Sequence, residues 1–467
     1  MNGNHPTGTV GVALALLLAV PTLTLAQVHP DGEPATPGPA LRAASQRLTL
    51  LDAIAMALEQ VPSLKLAEAR EDAADAAAGE ARAAWFPTLH VAASATQFQE
   101  PMVVFPIHGF QPGETPPFDE TLFQAGATLE FLVFDGGARA ARVRSARARV
   151  SAARAGVSVA RQEVIARTVR AYLDVLGGRE VLAAHWRRMD ALAAERARVT
   201  RRLEAGRAAQ IELLRVEAAM ASAESERVRL ASSLDVAERD LARLLGADPE
   251  ATRADSLAIV VSRDADVPPG DALVARAREV SPILQGAQRE VAAAEAVGAA
   301  ARGARWPRLD LVGAYVDRGA ASGENQAEWN VGVQLSYPVF TGGAVGSRIA
   351  RADAERRAAG EALREAELQL AHDVERARAA VAEARARVAS LETAVARFAE
   401  VVRIEQLRLA VGAATQTDYL QGEADLFETR AALIAARHGE IGARVELARL
   451  IGDLDPAWLA RQVESGS

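Results

Sequence analysis

The sequence predicts a mainly α-helical fold with a smaller β part of membrane-spanning length, in which a strand hairpin followed by a long coiled-coil helix hairpin occurs twice. Three observations predict it. Val374, Val381, Val388, Val395, Val402 and Leu409 stand seven apart, with Leu391 and Phe398 three residues past Val388 and Val395, which is the a and d spacing of a coiled coil. Just ahead, EWNVGVQLSYPVF from Glu328 puts Trp329, Val331, Val333, Leu335, Tyr337 and Val339 on one side of a strand and Asn330, Gln334 and Ser336 on the other. Finally, VFDGGA from Val133 returns as VFTGGA from Val339, an offset of 206 positions between Phe134 and Phe340. The same offset, without a gap, sets LEAGRAAQIELLRVEA from Leu203 on LAVGAATQTDYLQGEA from Leu409, and LARLLG from Leu241 on LARLIG from Leu447. Three matches in one ungapped register mark a duplication.

Composition agrees. The chain is 50% apolar but only 4% aromatic, so alanine carries much of the apolar count, as in long packed helices. The net charge of −8 argues against a nucleic-acid partner. There is no cysteine, which removes disulfides, thiol catalysis, cysteine metal ligands and an N-terminal lipid anchor together. VGVALALLLAV from Val10 is too short to cross a bilayer and is followed by a small-residue cleavage pattern ending at Ala26, so residues 1–26 read as a signal peptide, although no Lys or Arg precedes the apolar run. No later run of about 18 apolar residues occurs, so any membrane crossing must be made by strands. Residues 27–47, rich in Pro and Gly, read as a linker.

Residues 48–250 form the expected first repeat. A short helix at 51–60 stops before Pro62, a second runs to Trp85, and Pro87 ends it. Strands follow at about 88–98 and 122–134, separated by a Pro- and Gly-rich loop at 99–117. Leu129, Phe131 and Val133 are expected to face lipid, and His90, Thr128 and Glu130 water. Gly136 and Gly137 turn the chain into a long helix in which Val143, Val150, Val157 and Val164 keep a heptad stripe that Val175, Leu182 and Met189 resume, with Leu203 at the end; it breaks at Gly206 and returns to about Gly246. A linker at 251–270 leads to the second repeat, 271–453: helices at 272–280 and from Pro282 to Arg305, strands at 308–318 and 329–340, the turn at Gly342 and Gly343, and a helix from Ala344 to Leu409 that breaks at Val411 and Gly412 and returns to Gly452. Residues 454–467 read as a tail. Two strand hairpins leave two bare edges and enclose nothing, whereas three copies would supply twelve strands, enough to close.

From about Leu48 to Gly452 the chain resembles the TolC-type outer-membrane efflux protein family. The resemblance is carried by LTLLDAIAMALEQVPSL from Leu48, by the phrases FLVFDGG and LSYPVFTGG, by the tips at Gly206 and Gly412, and by the duplicated order of elements. It implies a homotrimer: a twelve-stranded barrel in the outer membrane continued by an α-helical barrel across the periplasm, the exit duct of a tripartite efflux or type I secretion system. A periplasmic adaptor protein and an inner-membrane transporter are the implied partners. By the same resemblance Asp418 lines the periplasmic constriction, Gln421 stands where a second aspartate is found, and Glu212 is the acid of the first copy. The family's latch tyrosine and arginine fall at Leu409 and Ala414, so neither is kept. The 206 offset independently pairs Glu212 with Asp418. Near a helix N-terminus an acid is stabilised by the dipole whatever its function; in a trimer either acid would form a ring of three that attracts cations. The adaptor is expected around Gly206 and Gly412, with Leu203, Leu409 and Val411 uncovered at the tips or packed within them.

Other classes are weaker. The seven histidines show no metal spacing, and neither a GxSxG nucleophile nor a phosphate loop occurs, so no cofactor and no enzymatic activity are expected. His372 reads as a solvated or interhelical polar residue. A periplasmic coiled-coil adaptor or scaffold would also use paired long helices, but it leaves the apolar strand faces unexplained.

Overall fold

The structure is a computed structural model that describes residues 48–104, 118–248, 260–261, 269–321, 323 and 325–464. The expected signal peptide, the 27–47 linker, and most of the 99–117 and 251–270 segments lie outside the described residues.

The order of elements repeats. Helix α1 (Leu50–Gln60) starts at Thr49, whose hydroxyl accepts from the Asp52 amide while the Asp52 carboxylate accepts from the Thr49 amide, a reciprocal cap. It ends at Val61, and Pro62 opens α2 (Pro62–Ala83), where its missing N–H costs nothing. Strands β1 (Thr88–Val103) and β2 (Phe118–Phe134) lead to α3 (Ala138–Glu204) and α4 (Gln210–Leu245). After a two-residue strand β3 (Val260–Val261), the second set is α5 (Gly270–Val280), α6 (Pro282–Gly303), β4 (Arg308–Ala320), β5 (Asn325–Ser336), α7 (Ala344–Ala410) and α8 (Gln416–Leu450). Each of α3 and α7 has 67 residues, about 100 Å of helix. Gly136, Gly137, Gly342 and Gly343 all hold positive φ, between 58° and 85°, which explains a diglycine at both strand-to-helix turns. None of the helices among the described residues is long and apolar enough to cross a membrane.

The four long strands form one antiparallel sheet in the order β1-β2-β4-β5. Its principal core lies beneath it among the helices: Ile54 and Ala57 of α1 pack with Val164, Ile165 and Tyr172 of α3, Leu241 and Leu245 of α4, and Val445 of α8. The Tyr172 hydroxyl donates to the Leu48 carbonyl at 3.0 Å, tying the start of the described chain to the middle of α3. Along α7 the heptad residues Val374, Val381, Val388, Val402 and Leu409 are buried and Val395 is half-buried.

Some boundaries differ from the sequence expectation. Both strands of the first hairpin run further, to Val103 and from Phe118, with a register shift between Gln97 and Met102, where Pro101 has no N–H to give the ladder. Strand β5 starts earlier, at Asn325, and stops at Ser336 instead of Phe340; Pro338 lies just beyond. The 251–270 linker contains β3, which pairs with β6 (Val463–Glu464). The supposed tail carries helix α9 (Pro456–Gln462), whose Leu459 is buried in the principal core together with Leu454.

Candidate functional site

Two places carry the chemistry: the faces of the sheet and the tips of the helical hairpins. Residues directly opposite one another share a face. The register pairs Leu89 with Leu129, Phe131 with Leu311, Leu311 with Val333, Gly313 with Val331 and Tyr315 with Trp329. One face is therefore apolar across all four strands, and it is uncovered: Trp329 is 75% exposed, and Leu89, Val91, Val331, Val333 and Leu335 are exposed as well. His90, Thr128, Glu130, Asp310, Gln334, Arg308 and Ser336 fall on the opposite face, where Arg308 pairs with Asp310 at 2.7 Å and Arg318 with Glu328. Sheets that pack inside a soluble domain bury such an apolar face; here it stands free.

At the strand-to-helix turn of the first repeat, a Cβ on Gly136 would lie 2.6 Å from the Gly303 carbonyl and 2.6 Å from the Trp306 Cβ, so glycine is required there by space as well as by φ. Arg139, the next residue but one after the turn, is buried: its guanidinium stacks 3.8 Å over Trp85 and donates to the carbonyls of Ala84 and Leu132. Gly342 meets nothing within 4 Å and is selected by φ alone.

The two tips are built alike. Gly206 and Gly412 are left-handed, at φ 67° and 78°. The Arg207 amide donates to the Arg202 carbonyl at 2.7 Å and the Ala413 amide to the Arg408 carbonyl at 2.8 Å, closing each helix with a Schellman-type turn. The guanidinium of Arg202 also reaches the Arg207 carbonyl (3.0 Å), and that of Arg408 the Ala413 carbonyl (3.1 Å). These arginines are related by the 206 offset and were not singled out in the sequence.

Asp418 and Glu212 are both third residues of returning helices. The Asp418 carboxylate accepts from the Thr415 hydroxyl (2.7 Å) and amide (3.1 Å), while the Thr415 hydroxyl accepts from the Asp418 amide (3.2 Å). These hydrogen bonds hold the Asp418 carboxyl below its usual range, so an exposed negative charge stands at this tip. Glu212 accepts from the Ala209 amide at 3.2 Å and faces Arg202 at 3.5 Å; Ala209 has no hydroxyl to complete the cap. Gln421 is exposed and donates to Asp425.

The tip side chains separate. Val411 is 79% exposed, Leu203 is half-buried, and Leu409 is 7% exposed because it packs with Val402, Tyr419 and Leu426, so it is not uncovered. Gly206 and Gly412 are exposed.

Behind the tips lies a polar seam with no sequence signal. Gln416 donates to Glu195 at 3.0 Å, joining α8 to α3, and Arg215 donates to the Thr417 hydroxyl at 2.9 Å, joining α4 to α8. Further along α3, His185 is fully buried with Nε2 2.8 Å from the Ala223 carbonyl and its ring edge-on to Phe427. Burial pushes the Tyr419 hydroxyl and the Glu423 carboxyl up and the Arg188 guanidinium down. By contrast His372 is exposed.

A family model described as outer membrane efflux protein matches residues 53–247 and 273–453. Among curated proteins the chain is 25% identical over 362 residues to the outer membrane efflux protein BepC of Brucella suis, covering 75% of this chain and 77% of that one. It is 29% identical over 358 residues to the protein CyaE of Bordetella pertussis, covering 73% and 71%. Among solved structures, the outer membrane protein VceC of Vibrio cholerae superposes with a TM-score of 0.74 at 22% identity, over 86% of this chain and 96% of that one.

Proposed function

Since this chain belongs to the outer membrane efflux protein family, and so is an exit channel of the outer membrane reaching into the periplasm and no enzyme, we propose that it works as a ring of three copies. In that ring the four strands of each copy join into a twelve-stranded barrel, and α3, α4, α7 and α8 continue it as a helical barrel. The observation that carries this reading is the sheet. It presents an apolar face to the outside and leaves β1 and β5 as edges with no partner strand among the described residues, and backbone groups so exposed survive in lipid only if another strand pairs with them. The helices support the same closure. Helices α3 and α8 pack side by side, α4 and α7 lie on the flanks, and both flanks carry bare apolar side chains: Val228 and Val236 on α4, Leu368, Val401 and Ile404 on α7. Setting α7 of one copy against α4 of the next buries both stripes and closes head to tail.

The tips are then the periplasmic end. Asp418, ionised and exposed, forms a ring of three with Glu212 beside it, and Gln421 adds no charge. Gly206, Gly412, Val411 and the half-buried Leu203 form the docking surface for a periplasmic adaptor, through which an inner-membrane transporter delivers cargo; Leu409 acts only as packing beneath it. With Leu409 and Ala414 where the latch residues of relatives stand, the hydrogen bonds of Gln416 to Glu195 and of Arg215 to Thr417 couple the two hairpins of one copy instead. A coiled-coil scaffold would need neither the apolar sheet face nor the open edges.

The test uses the absence of native cysteine. Pairs of cysteines placed along β1 and β5, on the apolar face (Val91 with Val331 or Val333, for example), are oxidised in isolated outer membranes. A cross-linked ladder that ends at three chains supports the ring; no cross-link at any register, or release of the protein by carbonate without detergent, overturns it.

A further inference from the structure

On α3, Arg142, Ser145, Ala146 and Arg149 follow at steps of three, four and seven and so share a helical face. The 206 offset places Arg348, Arg351, Ala352 and Glu355 at the same positions of α7. Each face borders a groove beside α6. The first, of about 340 Å³, has Arg142, Ser145 and Arg149 on one wall and Ala74, Ala77 and Val297 among its apolar walls. The second, of about 530 Å³, shares Arg142 and is bordered by Arg348, Arg351 and Glu355. It is also bordered by Leu132, Arg308 and Ser336, all on the polar face of the sheet, so this second groove lies on that side, and the first adjoins it at Arg142, Val297 and Ala300.

The two grooves are not equivalent. In the second, Glu355 replaces Arg149 and faces Arg351 at 3.6 Å, which compensates its charge. In the first, Arg149 has no ion-pair partner among the described residues, and the ion pair of Arg142 is a long one, to Asp135 at 3.8 Å. Ser145 is 5% exposed, yet its hydroxyl has no hydrogen-bond partner among the described residues. On the same helix Ser151 and Ser158 each donate to the carbonyl four residues back, at 3.2 and 3.3 Å. A buried hydroxyl with no partner among the described residues, on a groove wall shared with two arginines, is a donor set that suits an anion.

We propose that the first-repeat groove binds an amphipathic organic anion. The sulfonate, phosphate or carboxylate head lies between Arg142 and Arg149, with the Ser145 hydroxyl rotated towards it, and a compact apolar body lies against Ala74, Ala77 and Val297. Its position inside the duct rests on the reading in the preceding subsection; the binding itself does not.

Naphthalene-2-sulfonate is titrated calorimetrically into the full-length protein in detergent, beside the neutral 2-naphthalenemethanol, and the same preparation is placed in planar bilayers. The sulfonate is expected to bind at least about tenfold more tightly than the alcohol, the margin a pair of charge-assisted contacts supplies. Arg149→Glu, which copies the second repeat, should weaken it by about tenfold or more, and Ser145→Ala by a few-fold. Equal binding of the two probes, or binding unchanged in Arg149→Glu, overturns the site. If that variant fails to fold, the comparison of the two probes on the unaltered protein still decides. Bilayer currents without sulfonate binding reject the site alone, whereas absence of any current rejects the duct whatever the calorimeter reads.

Discussion

In the first repeat, α3 is packed by α1, α2, α4, α6 and α8; in the second, the equally long α7 is packed mainly by α5, α6 and α8. The first-repeat helix α1 lies deep in the principal core, capped by Leu459 of α9, while its counterpart α5 is covered on one side, with Val274 half-buried where α1 has Ile54 fully buried. Duplication therefore copied local structure faithfully and burial unequally. Heptads, prolines and diglycines set where each element starts and stops, and they survive copying; what a helix is packed against depends on its place in the row. The second repeat is the more exposed flank, and the first supplies most of the principal core.

The widest expected gap between repeats is at the strand-to-helix turns. Gly136→Ala should prevent recovery of folded protein from membranes, because neither the Gly303 backbone nor the Trp306 Cβ can move aside. Gly342→Ala, with open space around it, should cost only the left-handed backbone, about 1–2 kcal/mol in thermal melting. Equal behaviour would mean that crowding does not separate the turns.

Next comes the core. Ile54→Ala should cost roughly 2–5 kcal/mol, and Val274→Ala markedly less, since its surroundings are already open to water. Denaturant midpoints of the detergent-solubilised protein measure both, and similar losses would contradict the unequal burial.

At the tips, Asp418→Ala should lower cation selectivity, read as a shift of the reversal potential, more than Glu212→Ala, whose carboxylate is partly neutralised by Arg202. The sign with pH follows from the depressed Asp418 pKa. What the ionised carboxylate contributes to the cap is in full force above the ordinary aspartate pKa and is lost only as pH falls through the lower folded-state value. Selectivity attributable to Asp418 should hence persist at a pH where an ordinary aspartate is already half protonated. An unchanged reversal potential in Asp418→Ala would remove it from the pore lining.

The smallest effect exchanges the caps. Thr415→Ala should destabilise the start of α8 by about 1 kcal/mol, and Ala209→Thr should stabilise α4 by about the same or less. Hydrogen exchange at the first amides of each helix resolves the two changes, and opposite signs are required.

Much of this architecture can be read from the residues, because the relevant signals are periodic or punctual. The valines from Val374 to Val402 are seven apart for a packing reason, and they are buried or half-buried. Strand limits were harder: alternation continues through Tyr337 and Val339, but Pro338 cannot give the ladder a donor, and β5 stops at Ser336. Helix α9 is seven residues long, too short to show a period. At the tips the family resemblance points to the acids and the offset pairs Glu212 with Asp418, but neither announces their hydrogen bonds. The bond from Gln416 to Glu195 joins residues 221 positions apart, and no local pattern announces such a partner. Leu409 was expected to be exposed or packed; Tyr419, one turn into α8, decides for packing.

The early stop of β5 has a mechanical consequence. In the proposed ring, every boundary between copies joins a β5 edge to a β1 edge, so a strand of 12 residues sets the longest ladder that this boundary can hold. The staves of the cask are joined there by hydrogen bonds alone, whereas the two planks of each hairpin are also joined by the chain itself. Under lateral tension or stepwise loss of lipid, the wall should part between subunits before any single sheet tears.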